Sequence, residues 1–284
     1  MKNILLGVMA GAALMVASCS PSATQSASES QAKKQNARKS QNPEQLRVMC
    51  YNIHYANPPS KEKTFIDLDA IARVIKDENP DVVALQEVDV NTARSGKINE
   101  AEQLAKKTGM KAYYFAKAID HDGGDYGVAM LSKYDLTDTK TYALPDDRST
   151  NPEPRVMATA KVKTKSGFEF MFAVTHLEVR REENRMMQMA EIERIVKATS
   201  LPVIIAGDFN ARPESTTIQY LDRLFTRTCQ TCPPTIPVIN PNRTIDFIAF
   251  RPGEKFKVLE HKVIPETYAS DHLPVFSVLE INPN

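Results

Sequence analysis

Short apolar runs that end abruptly in an acid, an amide or an imidazole recur through this chain. That pattern constrains the fold more than any other feature. The clearest case is residues 201–213, LPVIIAGDFNARP. Val203, Ile204, Ile205 and Ala206 can bury both faces of a strand, and Gly207 is expected to let the backbone turn tightly. Asp208 and Asn210 then stand at the strand's end, where side chains no longer alternate between core and solvent. Alone, this reads equally well as a strand followed by an Asx turn. Because several other strands end alike, the pattern indicates a scaffold that presents polar groups along one rim.

The rest of the chain supplies those strands. Residues 46–51 (LRVMCY) run into Asn52, Ile53 and His54. Leu68, Ile71, Ala72 and Ile75 repeat at helical spacing, and Asn79-Pro80 closes that helix. Residues 81–86 form a buried strand delivering Glu87. A second helix covers about 99–107, with Gly109 as its C-cap. Residues 126–132 (YGVAMLS) follow a Gly-rich turn, and 156–163 pairs with 168–175 around Ser166-Gly167. The second member of that pair delivers His176. A long helix over about 182–198 turns Met186, Met189, Ile192 and Val196 inward, and a short one covers about 216–224. The last strands are 245–250, carrying Asp246, and 274–279, preceded by Ser270-Asp271-His272. Many strands, two long helices and no strict βαβ alternation indicate the α/β class, as a four-layer sandwich of two mostly antiparallel β-sheets flanked by helices.

The first residues suggest an address. Lys2 precedes an apolar run at 4–16 that is too short for a bilayer span of roughly 20 residues. Val16-Ala17-Ser18-Cys19 resembles the lipobox of bacterial lipoproteins, which implies a signal peptide at 1–18 and lipid on the Cys19 thiol. Residues 19–45 are rich in Ser, Gln, Ala, Lys and Asn, too polar to offset their ordering entropy, and read as a flexible tether. The domain is expected over 46–284, in a lipid-anchored cell-envelope protein, facing the periplasm or the outside.

Charge disfavours one partner class. Residues 1–45 hold five of the 36 basic and two of the 35 acidic residues, so the domain carries 31 against 33. Such a domain has no general footprint for nucleic acid, although a bound divalent cation changes the local field. A nucleic-acid substrate is therefore not favoured, and a monomer is the simplest expectation. Of the remaining cysteines, Cys229 and Cys232 form CxxC in a Pro-rich loop and read as a loop disulfide, with Cys50 a small buried apolar residue.

The strand-end residues form a set: Asn52, Glu87, His176, Asp208, Asn210, Asp246, Asp271 and His272. Two of the five histidines fall in it. A cation of the magnesium class takes carboxylate and amide oxygens, and Glu87 with Asn52, near Asp208 or Asp271, suits it. In-line attack on phosphorus needs an oriented water, a base and positive charge around the non-bridging oxygens. Asp208 or a His–Asp pair can supply the base, and Asn210, His176 and the metal the charge. Individually, Glu87 reads as a solvated carboxylate and His176 as a structural histidine. Asp246 within an apolar run is harder to set aside, because a buried carboxylate needs a partner.

Taken in order, YNIH at 51–54, LQEV at 85–88, YGVAMLS at 126–132, EPR at 153–155, THL at 175–177, GDFN at 207–210, IDFI at 245–248 and SDHLP at 270–274 resemble the endonuclease/exonuclease/phosphatase superfamily. The resemblance implies a Mg2+- or Mn2+-dependent phosphoesterase of deoxyribonuclease-like fold. It implies metal binding at Glu87, Asn52 and Asp271, and a catalytic set of His176, Asp208, Asn210, Asp246 and His272. Arg155 and Tyr126 correspond to substrate-side positions. The chain has no tryptophan, no basic stripe and no long apolar insertion. With TxRSG at 92–96 it most resembles the small secreted bacterial branch. A phosphodiesterase on small or lipid-linked head groups ranks above a nuclease and above a sugar- or inositol-phosphate phosphatase. A non-catalytic binding lipoprotein ranks lower still.

Overall fold

A computed structural model describes Gly11 and residues 43–282. The signal peptide, the lipidation site at Cys19 and nearly all of the tether lie outside the described residues. Among those described, no helix is long and apolar enough to cross a membrane.

Twelve strands and four α-helices are present among the described residues. The strands are β1 (Gln45–Asn52), β2 (Val82–Val90), β3 (Ala112–His121), β4 (Gly124–Ser132), β5 (Leu136–Leu144), β6 (Arg155–Lys163), β7 (Glu169–His176), β8 (Val203–Asp208), β9 (Thr226–Arg227), β10 (Asp246–Arg251), β11 (Phe256–Val263) and β12 (Val275–Ile281). The helices are α1 (Leu68–Glu78), α2 (Glu100–Thr108), α3 (Glu182–Lys197) and α4 (Thr216–Leu224). Two six-stranded sheets result, in the orders β11-β12-β1-β2-β4-β3 and β5-β6-β7-β8-β10-β9. Each is antiparallel except for one central parallel pair, β1 with β2 and β7 with β8. Those pairs need crossovers, and α1 and α3 supply them.

Three apolar layers hold the sandwich together. One lies between the sheets, from Val48, Ala84 and Met130 to Phe172, Ile204 and Phe250. A second packs α1 and α2 on the first sheet, and a third packs α3 and α4 on the second. The helices start and stop where the residues dictate. The Asp67, Asn99 and Ser215 side chains accept first-turn N–H groups of α1, α2 and α4, and Asn79 and Gly109 take left-handed backbone after α1 and α2.

Three expectations need correction. The strand at 203–206 continues through Gly207 and Asp208, which pair with Thr175 and His176. Glycine is required there because a Cβ would lie 2.2 Å from the Thr175 carbonyl oxygen; the turn itself is made by Asn210 at φ 48°. Helix α3 buries Asn184, Arg185 and Gln188 in its first half, with Met186 only half-buried. Strands β3, β5, β9 and β11, absent from the sequence reading, are the four sheet edges. Cys229 and Cys232 are disulfide-bonded and Cys50 is buried and free, as expected.

Candidate active site

Strand register builds the site. Asp208 at the end of β8 lies opposite His176 of β7 on one side and Asp246 of β10 on the other, so three functional side chains line up across adjacent strands. In the other sheet, Asn52 ends β1 opposite Gln86, one residue before Glu87. A bulge between Leu85 and Val88 places Glu87 at φ 55°, a conformation that costs a non-glycine residue roughly 1–2 kcal/mol. Beyond β1, His54–Ala56 also adopt left-handed backbone, braced by two hydrogen bonds from Asn57 Nδ2 to the carbonyls of Glu62 and Phe65. Strain of this kind gathers at functional sites.

One oxygen is the meeting point. Asp208 Oδ2 accepts a hydrogen bond from Asn52 Nδ2 (3.1 Å) and faces His176 Nε2 at 3.6 Å and His272 Nε2 at 3.8 Å. Asp208 Oδ1 accepts the Asn210 N–H (2.9 Å), and the Asn210 amide donates to the Leu177 carbonyl (3.0 Å). Asn52 Nδ2 also reaches Glu87 Oε1 (3.0 Å) within its own sheet, so the same amide joins it to Asp208 of the other sheet. His272 Nδ1 donates to Asp246 Oδ2 (2.9 Å), which also accepts from Thr235 Oγ1 (2.6 Å). Arg155 Nη1 donates to His176 Nδ1 (3.2 Å), so the His176 proton is on Nε2, facing Asp208. Tyr126 is buried, beside Arg155 and His176. Asp271 is half-buried, with Ser270 Oγ 3.5 Å from Oδ1; that hydroxyl also holds the Asn52 carbonyl (2.7 Å).

Burial and neighbouring charge separate the titrating groups. Burial and the Asp246 charge push the Asp208 carboxyl up to about 7. Burial alone would lower His272, but Asp246, Asp208 and Asp271 outweigh it and hold the ring's proton up to about 10. Burial, Arg155 and His272 drive His176 well below the usual imidazole range. At neutral pH the site therefore holds a cationic His272, a neutral His176 and a carboxylate that exchanges its proton readily.

Asp208, Asp246 and His272 bring ligand atoms within 4.8 Å of one another and could hold a metal ion. His272 Nδ1 and the Asp246 carboxylate are engaged with each other, however, and an imidazolium has no lone pair to give. On the other side of Asp208, the Asn52 side-chain Oδ1 accepts the His54 N–H (3.1 Å), so Asn52 turns its NH2 toward the carboxylates. That leaves Glu87 Oε1 and the Asp208 carboxylate, joined through the Asn52 amide, as oxygens of the kind a small divalent cation takes.

Two supports had no sequence signal strong enough to find them. Thr235, which fixes Asp246, lies in the Pro-rich loop eleven residues upstream of it. Arg94, noticed only within TxRSG, is held by buried Asp89 (2.7 and 2.8 Å) and lies 3.8 Å over the Tyr55 ring and 5.6 Å from that of Tyr126.

Paired strand-end carboxylates, an amide bridge and a clamped histidine in a two-sheet sandwich define a class of metal-assisted phosphoesterases. The chain belongs to the Endonuclease/Exonuclease/phosphatase family, whose model matches residues 49–272; its members hydrolyse phosphoesters and typically depend on a divalent metal. It is 28% identical to nocturnin of Rattus norvegicus over 149 residues, which cover 47% of this chain and only 33% of that protein. In structure it is similar to a family protein from Beutenbergia cavernae (TM-score 0.72, 23% identity, covering 84% of this chain and 72% of that one). It is also similar to a mannosyl-6-phosphatase of Bacteroides thetaiotaomicron (TM-score 0.66, 19% identity, 82% and 99%). These structural likenesses establish the fold.

Proposed function

We propose that this protein is a Mg2+- or Mn2+-dependent hydrolase that cleaves a phosphodiester of a small or lipid-linked head group by in-line attack of water. The observation that carries the reading is the single Asp208 oxygen faced by Asn52, His176 and His272. Asp208 aligns the water and takes its proton, its value raised by burial and the Asp246 charge to about 7. Protonated His272, clamped by Asp246, and the Nε2–H of His176 stabilise charge on the phosphoryl oxygens. Glu87 and Asp271, with Asn52 bridging to Asp208, would hold the cation, which supplies Lewis-acid stabilisation of the same charge.

The near balance of acidic and basic residues favours head groups over polynucleotides. The test is a panel of DNA, RNA, sphingomyelin, glycerophosphodiesters and inositol phosphates, with wild type and His272→Ala in parallel. Turnover of a small diester that falls by about 10²–10⁴ in the variant is expected. DNA cleavage at the rate of the best small diester would make it a nuclease, and an inert panel would remove the reading. We also propose lipid anchoring at Cys19 in the cell envelope; loss of membrane sedimentation in Cys19→Ala is the expected result.

A further inference from the structure

Beside the candidate active site lies a cleft of about 410 Å³ between residues 150–155, before β6, and residues 178–181, after β7. Three arginines line it: Arg155, Arg180 and Arg181. Arg155 is 5% exposed and joins the cleft to the catalytic residues through its hydrogen bond to His176. It is paired with Glu153 (2.8 Å), yet its Nε–H is buried with no partner. The Arg180 and Arg181 guanidinium groups enter no ion pair among the described residues. Of the carboxylates nearest in sequence, Glu178 is turned inward, where Oε1 accepts the Arg180 N–H (3.0 Å), and Glu182 Oε1 accepts the Thr217 N–H (3.2 Å). The turn that presents them is rigid, because buried Arg185 donates to the carbonyls of Glu178 (3.0 Å) and Val179 (3.1 Å).

We propose that this cleft is a second anion subsite, which makes the substrate a small phosphoester carrying a second phosphate group beyond the one cleaved. The inference rests on phosphoester hydrolysis at the Asp208–His272 centre. Guanidinium forks match the oxyanion geometry of phosphate, and a cleft of this size takes a sugar- or polyol-sized body but not a duplex. Exposed Val179 and the Pro152 ring give such a body an apolar surface to rest on.

The experiment compares matched pairs that differ by one phosphate: glycerophosphoinositol 4-phosphate against glycerophosphoinositol, and glucose 1,6-bisphosphate against glucose 1-phosphate. In wild type the doubly phosphorylated member should lead in kcat/KM by at least about tenfold in the pair that is turned over. In the Arg180→Ala/Arg181→Ala double variant the ratio should collapse to about one. Separately, inorganic pyrophosphate titrated by calorimetry in chelator-treated buffer should bind the double variant at least about tenfold more weakly than wild type. Equal rates within each pair in wild type, or a ratio and affinity that survive the substitutions, would overturn the subsite. Bis(p-nitrophenyl) phosphate, which has no second anion, reads the chemistry alone: its hydrolysis with no preference in the pairs removes the subsite and keeps the reaction. If no ester is cleaved, the pyrophosphate titration still decides the cleft.

Discussion

Asp246 does two things for His272 that a neutral side chain cannot: it orients the Nδ1–H and it keeps the ring cationic. Burial works against that charge, so the proton is held by the negative neighbours, Asp246 first. A histidine whose folded value is raised keeps its proton below that value and loses it as pH rises through it. Asp246→Asn should therefore bring the alkaline limb of the pH–rate profile down, with about a tenfold loss at pH 6 and 10²-fold or more at pH 8.5. A limb that does not move would show that the His272 charge is not used. Glu100 gives a test of stability instead. Burial, reinforced by the Asp89 charge, pushes its carboxyl well above the usual 4.5, and Oε1 is buried without a partner. The folded state then binds the proton more tightly than the unfolded chain. Stability falls by about 1.4 kcal/mol per pH unit above 4.5 until the folded value is reached. Glu100→Gln should level that slope in denaturant melts taken from pH 5 to 8, and an unchanged slope would assign it elsewhere. Asp246 was legible in the sequence because an acid inside an apolar run needs a partner. Thr235 was not, since a single hydroxyl in a Pro-rich loop has no periodicity to betray it.

At the scale of elements, legibility followed burial. Strands β1, β2, β7, β8, β10 and β12 bury both faces and read as apolar runs. β5 is exposed over most of its length and β11 is largely exposed or half-buried; these edges exist because a neighbour pairs with them, which no local pattern encodes. The C-terminal ends of α1 and α2 were visible at Asn79 and Gly109 because such caps are chemical. The inward polar face of α3 was not, since Asn184, Arg185 and Gln188 serve the loops beside the cleft: Gln188 accepts the Glu178 N–H and Asn184 the Asp147 N–H. Gly207 shows how a correct residue can be noticed for the wrong reason. Its role is the close approach of β7 to β8, which sets His176 opposite Asp208. Gly207→Ala should force those strands apart. A loss of about 1–3 kcal/mol in urea unfolding is expected, with activity falling further than stability explains, because the His176–Asp208 spacing opens. An alanine variant as stable and active as wild type would mean the strands yield freely.

Across the whole molecule, the apolar layers end where the carboxylates begin. Glu87, Asp208, Asp246 and Asp271 converge at one end of both sheets against a single cationic imidazole, His272, since His176 is neutral. An excess of negative charge gathered in a partly dry site destabilises the fold unless a cation offsets it. Mg2+ or Mn2+ should therefore stabilise the protein by mass action, by about 2.7 kcal/mol at a hundredfold excess over Kd. For a domain of this size that corresponds to roughly 5–10 °C in Tm. Glu87→Ala removes one carboxylate from the oxygen-rich side. It should abolish the metal-dependent shift while leaving the metal-free Tm equal or slightly higher, because one negative charge leaves the cluster while the left-handed backbone costs alanine as much as glutamate. Calcium, larger and tolerant of more ligands, should shift Tm less than Mg2+ if the small oxygen set is the site. A shift that persists in Glu87→Ala would instead place the ion at Asp208, Asp246 and His272. Binding there needs His272 deprotonated, so that shift would grow between pH 7 and 10, whereas one centred on Glu87 would change little over the same range.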